Sequence, residues 1–220
     1  MISLPRWLNK SKCTKTQLKS LIGKLSFVAK VVRPGRGHHH ISLNSDAKAD
    51  IAWWYDFLPT WSRSNLIPEP KSIRASDLML FSDASDLGFG AIYGTAWVQG
   101  DWSRWTREIS INYRELFAIL VAAETWGQDW RGKRIIFVTD NEPITKIWDK
   151  GSTPSPDIMS LVRPLFLAAA KGGFSVSLKH IAGVDNPIAD ALSRFQENRF
   201  RELHPDADRE PTAIPPHVWP

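Results

Sequence analysis

Between Leu78 and Val98 three apolar runs follow one another so closely that only one pairing is open to them. Leu78-Met79-Leu80-Phe81-Ser82-Asp83 reads as a buried strand, Gly88-Phe89-Gly90-Ala91-Ile92-Tyr93-Gly94 as a second with glycines at its ends, and Thr95 to Val98 as the start of a third, turned at Gln99-Gly100. Parallel pairing needs a crossover of about a dozen residues, so these three strands must be antiparallel neighbours. Asn112 to Trp126 then reads as a helix with Leu116, Ile119, Leu120 and Ala123 on its apolar face, and Arg134 to Thr139 as a fourth strand. Glu142 to Trp148 and Ser155 to Ala170 fit helices, and Phe174 to Ile181 alternates as a fifth strand. Asn186-Pro187 opens a last helix, a cap residue followed by proline in the first turn. The order β-β-β-α-β-α-α-β-α predicts an α/β domain over residues 77–195, a mixed five-stranded sheet with helices on its faces.

The chain before this domain has a different period. Thr14 and Gln17 form a capping-box start, and Leu18, Leu21, Ile22, Leu25, Val28 and Val32 recur at helical spacing up to Pro34-Gly35. A second helix fits Asp46 to Leu58, with Ile51, Trp54, Tyr55 and Leu58 on one face, and Pro59, Pro68 and Pro70 mark an extended linker. Residues 1–70 are therefore expected to form a small helical module. Residues 196–220, polar and holding Pro205, Pro211, Pro215, Pro216 and Pro220, are expected to be a flexible tail.

Charge separates the same parts. Residues 1–40 hold nine Lys/Arg and no Asp/Glu, residues 41–75 balance, and residues 76–220 carry a net of −4. A basic arm on a mildly acidic body suggests that the two meet a polyanion differently. Hydrophobic residues at 43% and charged residues at 23% exclude wholesale disorder. The single cysteine, Cys13, excludes an internal disulfide framework. The longest apolar run, Phe117 to Ala123, is too short to cross a bilayer, and the N-terminus has no apolar signal core. The expected compartment is cytoplasmic or nuclear, and the chain is not expected to be secreted.

Four acidic residues fall where strand ends or helix starts expose them beside the sheet. Asp83 ends the first strand of the sheet, Glu115 sits one turn into the Asn112 helix, Asp140 ends the fourth strand, and Asp190 lies in the first turn of the last helix. If the first and fourth strands are parallel neighbours, Asp83 and Asp140 lie side by side, and either helix can lean a carboxylate over them. Clustered carboxylates repel and stay ionised together only with cations between them. Hard oxygen donors of this kind suit Mg²⁺ or Mn²⁺, and two such ions can activate a water and stabilise the leaving oxygen of a phosphodiester. Singly, Glu115 could complete an Asn112 capping box, Asp190 could favour a helix N-terminus, and Asp83 and Asp140 could be turn residues. Together, in this element order, they favour chemistry.

Phe81-Ser82-Asp83-Ala84-Ser85, the Asn112-to-Ile119 helix start, Phe137-Val138-Thr139-Asp140-Asn141 and the closing His180-Ile181-Ala182-Gly183…Asn186…Ala189-Asp190-Ala191-Leu192-Ser193-Arg194 resemble the ribonuclease H domain of retroelement reverse transcriptases. The closing motif is shared with gypsy-type elements. Leu21 to Leu25, Val32 to Arg36 and Asp50 to Trp54 look like the thumb and connection of DIRS-like retrotransposons. The resemblance implies a ribonuclease H-like fold and cleavage of the RNA strand of RNA–DNA hybrids. It also implies Asp83, Glu115, Asp140 and Asp190 as catalytic ligands of two Mg²⁺ (or Mn²⁺) ions, with products carrying 3′-hydroxyl and 5′-phosphate ends. Asp185 competes with Asp190, and the Ala-Asp-Ala-Leu-Ser-Arg motif decides for Asp190. Ser85 and Asn141, beside catalytic positions, are candidate sugar contacts.

The chain also departs from that pattern. The Tyr-x-Asp-Asp motif of a polymerase palm is nowhere in it, so it reads as the C-terminal part of a larger enzyme, with the polymerase part as partner, or as a truncated element copy. Cellular relatives carry a basic protrusion where Lys150 to Pro156 here offers one lysine. The N-terminal module, through Lys24, Lys30, Arg33 and Arg36, is expected to supply that grip on the hybrid. His180 reads as structural and the His38–His40 run as incidental. Of the eleven tryptophans, Trp126, Trp130 and Trp148 suit core packing, and Trp102 and Trp105, flanking Arg104, are the pair to test for nucleic-acid contact. A catalytically idle nucleic-acid-binding or connection module, and another nuclease or transposase of the same fold, are the alternatives.

Overall fold

The computed structural model describes residues 12–14, 40–42, 48, 51, 52, 55 and 78–219, with 107 and 152 excepted. The chain divides into two compact units, Met1–Asn65 and Leu66–Pro220. In the first, β1 (Lys12–Thr14) pairs antiparallel with β2 (His40–Ser42), with Cys13 opposite Ile41. Lys48, Ile51, Ala52 and Tyr55 are helical, within the span expected for the second helix. Ile51 is buried but Tyr55 is 43% exposed, so Tyr55 leaves the apolar face expected of it. The helix expected before Pro34, with Lys24, Lys30, Arg33 and Arg36, lies outside the described residues.

The second unit is built on a five-stranded sheet in the order β5-β4-β3-β6-β7. β3 (Leu78–Ala84), β4 (Gly88–Tyr93) and β5 (Ala96–Asp101) are antiparallel neighbours, as their spacing requires. β6 (Arg134–Thr139) runs parallel to β3, and β7 (Ser175–His180) parallel to β6. Strands covered on both faces carry continuous apolar runs, and Ile135, Ile136, Phe137 and Val138 are all fully or nearly fully buried. β5 continues through Gln99 and Gly100, which the sequence reading had placed in a turn.

α1 (Ile111–Trp126) makes the crossover from β5 towards β6 and is apolar on most of its surface, because it is packed against both the sheet and α3 (Pro156–Gly172). Its cap is Ser110, whose side chain accepts from Tyr113 N; Asn112, read as the cap from sequence, lies inside the helix. α2 (Glu142–Lys150) starts at Asn141 and α3 at Ser155, each side chain accepting from a first-turn amide. α4 (Pro187–Ser193) packs on β3 and β4. Alternation along β4 separates the two cores: Ile92 joins Leu192, Ala191 and Trp97 under α4, and the Phe89 ring meets Phe117 of α1 at 5.3 Å.

The tail is not loose. α5 (Glu197–Leu203) places Phe200, 1% exposed, against Trp97 with ring centroids 5.1 Å apart. The following chain fastens to the sheet margin, Asp208 N donating to Thr95 O at 2.9 Å and Thr212 N to Trp97 O at 2.7 Å. Those bonds occupy part of the edge that β5 would otherwise expose. Trp219 then packs near Phe89, Phe117 and Trp105, with the Arg104 guanidinium 4.2 Å over its ring. Trp102 and Trp105 belong to this same aromatic cluster, and Trp102 Nε1 donates to Ser85 O. Both stay partly exposed within this cluster. Trp126 and Trp130 are buried as expected, and Trp148 Nε1 donates to Val176 O. Among the described residues no helix is long and apolar enough to cross a membrane.

Candidate active site

The parallel register of β3 with β6 brings Asp83 and Asp140 to the same end of the sheet. α1 approaches over that end and contributes Glu115 from its second turn of backbone. The result is a cluster in which one carboxylate oxygen of each of Asp83, Glu115 and Asp140 lies within 4.8 Å of the others. Asp83 is 5% exposed and Glu115 2%, while Asp140 opens to solvent.

Such an arrangement is electrostatically costly by itself. Burial, reinforced by Asp83 and Asp140, pushes the Glu115 carboxyl up to about 9. Burial also raises Asp83 to about 6, with Asp140 adding to the rise and a hydrogen bond from Ser193 opposing it. Ser193 Oγ donates to Asp83 Oδ2 at 2.5 Å from the far end of α4. A donor set made only of carboxylate oxygens, two of them buried and without a cationic side chain among the three, fits a hard divalent cation.

Asp190 is placed differently. It lies on α4, outside the three-residue cluster, and both its oxygens are engaged: Arg194 Nε donates to Oδ1 at 2.6 Å and Arg199 to Oδ2 at 2.8 Å. Its carboxyl is lowered, because these two guanidiniums outweigh a desolvation that acts the other way. Arg199 comes from α5, a segment the sequence reading treated as tail. Asp185 is exposed in the 3-10 turn Gly183–Asp185 and is not part of the cluster.

That turn nevertheless closes over the site. A Cβ built on Gly183 would fall 2.8 Å from Asp140 Oδ2, so the backbone of this turn runs close against that carboxylate. His180 contacts the site through its ring Nε2, 3.1 Å from the backbone oxygen of Asp140.

Ser85 and Asn141 are both engaged within the fold. Ser85 is 5% exposed; its Oγ donates to Ser193 O at 2.7 Å and accepts from Leu87 N and Gly88 N. Asn141 caps α2 through Ile144 N and donates to Asn112 Oδ1 at 2.9 Å. Asn186 has no capping bond from its side chain; its amide instead donates to Ser82 O at 3.0 Å, pinning the start of α4 to β3. Ser193 and Arg199 are the residues that sequence reasoning missed. Ser193 stood inside the motif taken to be diagnostic, but its partner is 110 positions away.

No family model matches the chain, and no curated protein matches it. Solved structures do. The chain is similar to RNase H1 from the halophilic archaeon Halobacterium salinarum NRC-1, at 17% identity over 56% of this chain and 98% of that one, with a TM-score of 0.45. It is similar to LC11-RNase H1, solved in complex with an RNA/DNA hybrid, at 14% identity over 53% of this chain and 93% of that one, TM-score 0.43. It is also similar to a foamy viral protease-reverse transcriptase in complex with an RNA/DNA hybrid, at 12% identity over 69% of this chain and 26% of that one, TM-score 0.41. By its own strand order and directions, a mixed five-stranded sheet with helices on both faces, the second unit has the ribonuclease H-like fold.

Proposed function

We propose that the chain is a metal-dependent endonuclease that hydrolyses the RNA strand of RNA–DNA hybrids, the ribonuclease H part of a retroelement reverse transcriptase of DIRS-like or gypsy type. One observation carries this reading: Asp83, Glu115 and Asp140 converge at the C-terminal ends of two adjacent parallel strands, in a donor set that suits a divalent cation. Mg²⁺ or Mn²⁺ bound there would supply an activated water and offset charge on the leaving oxygen of a phosphodiester.

The protein's own residues do the positioning. β3 and β6 fix Asp83 and Asp140 on rigid backbone, α1 delivers Glu115 into the buried side of the cluster, and Ser193 orients the Asp83 carboxylate. Gly183 narrows the open side at Asp140. Asp190 is the fourth ligand in this reading, and its release from Arg194 and Arg199 is the adjustment it requires. That engagement is also the observation that favours the second reading, an idle nucleic-acid-binding or connection module. A polymerase subunit is the partner proposed in either case, and the cytoplasm or nucleus the compartment.

The test is cleavage of end-labelled RNA–DNA hybrid, duplex DNA and duplex RNA by the full chain with Mg²⁺ or Mn²⁺. Hybrid-only cleavage leaving 3′-hydroxyl and 5′-phosphate ends is the expected result. Binding without cleavage selects the idle module, and cleavage of duplex DNA selects a different nuclease on the same fold.

A further inference from the structure

The end of α4 holds a backbone conformation that its sequence makes costly. Phe195 N donates to Leu192 O at 3.0 Å and Gln196 N to Ala191 O at 2.9 Å. These are the paired bonds of a Schellman cap, whose middle residue is left-handed and ordinarily glycine. Phe195 occupies that position with φ 55°, the one non-glycine residue of positive φ among those described. α2 and α3 end on Gly151 and Gly173 at φ 64° and 70°, so the chain uses glycine where nothing else is asked of the cap. A left-handed backbone brings Cβ too close to the following carbonyl oxygen, so any side chain there is strained. Burial does not offset that cost fully, since Phe195 stays 45% exposed. Strain held without full burial points to a use for the side chain outside the fold.

Its location names the use. The ring lies over the turn joining β3 to β4, where a Cβ on Gly88 would fall 2.5 Å from Phe195 Cε2. Leu87, in the same turn, is 59% exposed. The bond from Ser85 Oγ to Ser193 O ties this turn to the end of α4, so Leu87 and Phe195 are carried on one support. The turn leaves the strand that carries Asp83, and α4 carries Asp190. Arg194 and Arg199 stand beside the ring in sequence and converge on Asp190, and the turn's own acid, Asp86, is paired with Arg114.

We propose that Phe195 and Leu87 form an apolar step that seats the sugars of an RNA–DNA hybrid beside the carboxylate centre. This rests on the hybrid as substrate and adds how the chain orients it. The wide, shallow minor groove of an A-like duplex displays its sugars along with base edges, and a phenyl ring with a leucine beside it can pack on the sugar faces without reading sequence.

Two variants of the full chain test the step: Phe195→Gly, which removes the ring and gives the cap its ordinary residue, and Leu87→Ser. Each is compared with wild type for melting temperature and for binding of a fluorescent RNA–DNA hybrid in Ca²⁺. The expected result is weaker hybrid affinity in each, by about fivefold or more for Phe195→Gly, the low end of what a lost aromatic contact to nucleic acid costs. Melting should be unchanged or higher in Phe195→Gly and unchanged in Leu87→Ser. A lower melting temperature for Phe195→Gly together with wild-type affinity for Leu87→Ser makes the ring a clamp of the fold and overturns the proposal. Unchanged affinity in both variants overturns it while leaving the hybrid reading intact. Failure of the wild type to bind hybrid overturns both.

Discussion

Glu115 is the most deeply buried carboxylate of the three-residue cluster. Its carboxyl, raised to about 9, and that of Asp83, raised to about 6, hold protons in the folded protein that the unfolded chain releases near the ordinary carboxylate values. The unfolded chain therefore gains relative stability as these protons are shed, and the metal-free fold should weaken steadily as pH rises from about 5 towards about 9. A divalent cation reverses the preference by favouring the ionised carboxylates. Melting curves in EDTA and in Mg²⁺ between about pH 5 and about pH 8 should show a metal-induced rise that grows with pH. A rise that is the same at every pH would contradict the assignment. Ser193→Ala removes the bond that opposes the rise at Asp83. The pH profile of hybrid cleavage should shift upward, with a cost to stability of about 1–3 kcal/mol for the buried acceptor left unpaired. An unshifted profile would make Ser193 a packing residue. Asp83, Glu115 and Asp140 were legible because strand ends and a helix start announce themselves locally. The orienting serine and the arginines on Asp190 were not, because what they do depends on partners that only the folded chain brings near.

At the level of elements, the strands and helices of the sheet unit follow their sequence patterns closely, because period and caps are local properties. The segment after α4 shows the limit of that reading. Its prolines and charges suggested a loose tail, yet Phe200 fills the space under Trp97, and Trp219 packs on the opposite core. Two anchors spaced among polar residues leave no periodic signal, and their partners lie about a hundred residues earlier. Phe200→Ala should therefore cost about 3–5 kcal/mol in urea unfolding, as a fully buried aromatic does. A loss under about 0.5 kcal/mol, ordinary for surface positions, would restore the loose tail. α5 also carries Arg199 to Asp190, so this segment is joined to the site as well as to the core.

The whole chain pairs a basic arm with a mildly acidic body, and the proposed part of the arm in binding rests on that charge pattern. Removing residues 1–40 should weaken hybrid binding and flatten its dependence on salt, since fewer counterions would be released from the nucleic acid. An unchanged salt slope would return the grip on phosphates to the ribonuclease H-like unit. The central claim, that Asp83, Glu115 and Asp140 form the catalytic centre of a hybrid-specific ribonuclease, is tested most directly by comparing wild type with Asp140→Asn. Asp140 is the solvent-facing member of the cluster, so its replacement should leave the fold intact. With matched melting temperatures, the wild type should cleave the RNA strand in a Mg²⁺-dependent way and the variant only at background. Equal cleavage by the two proteins would contradict that claim.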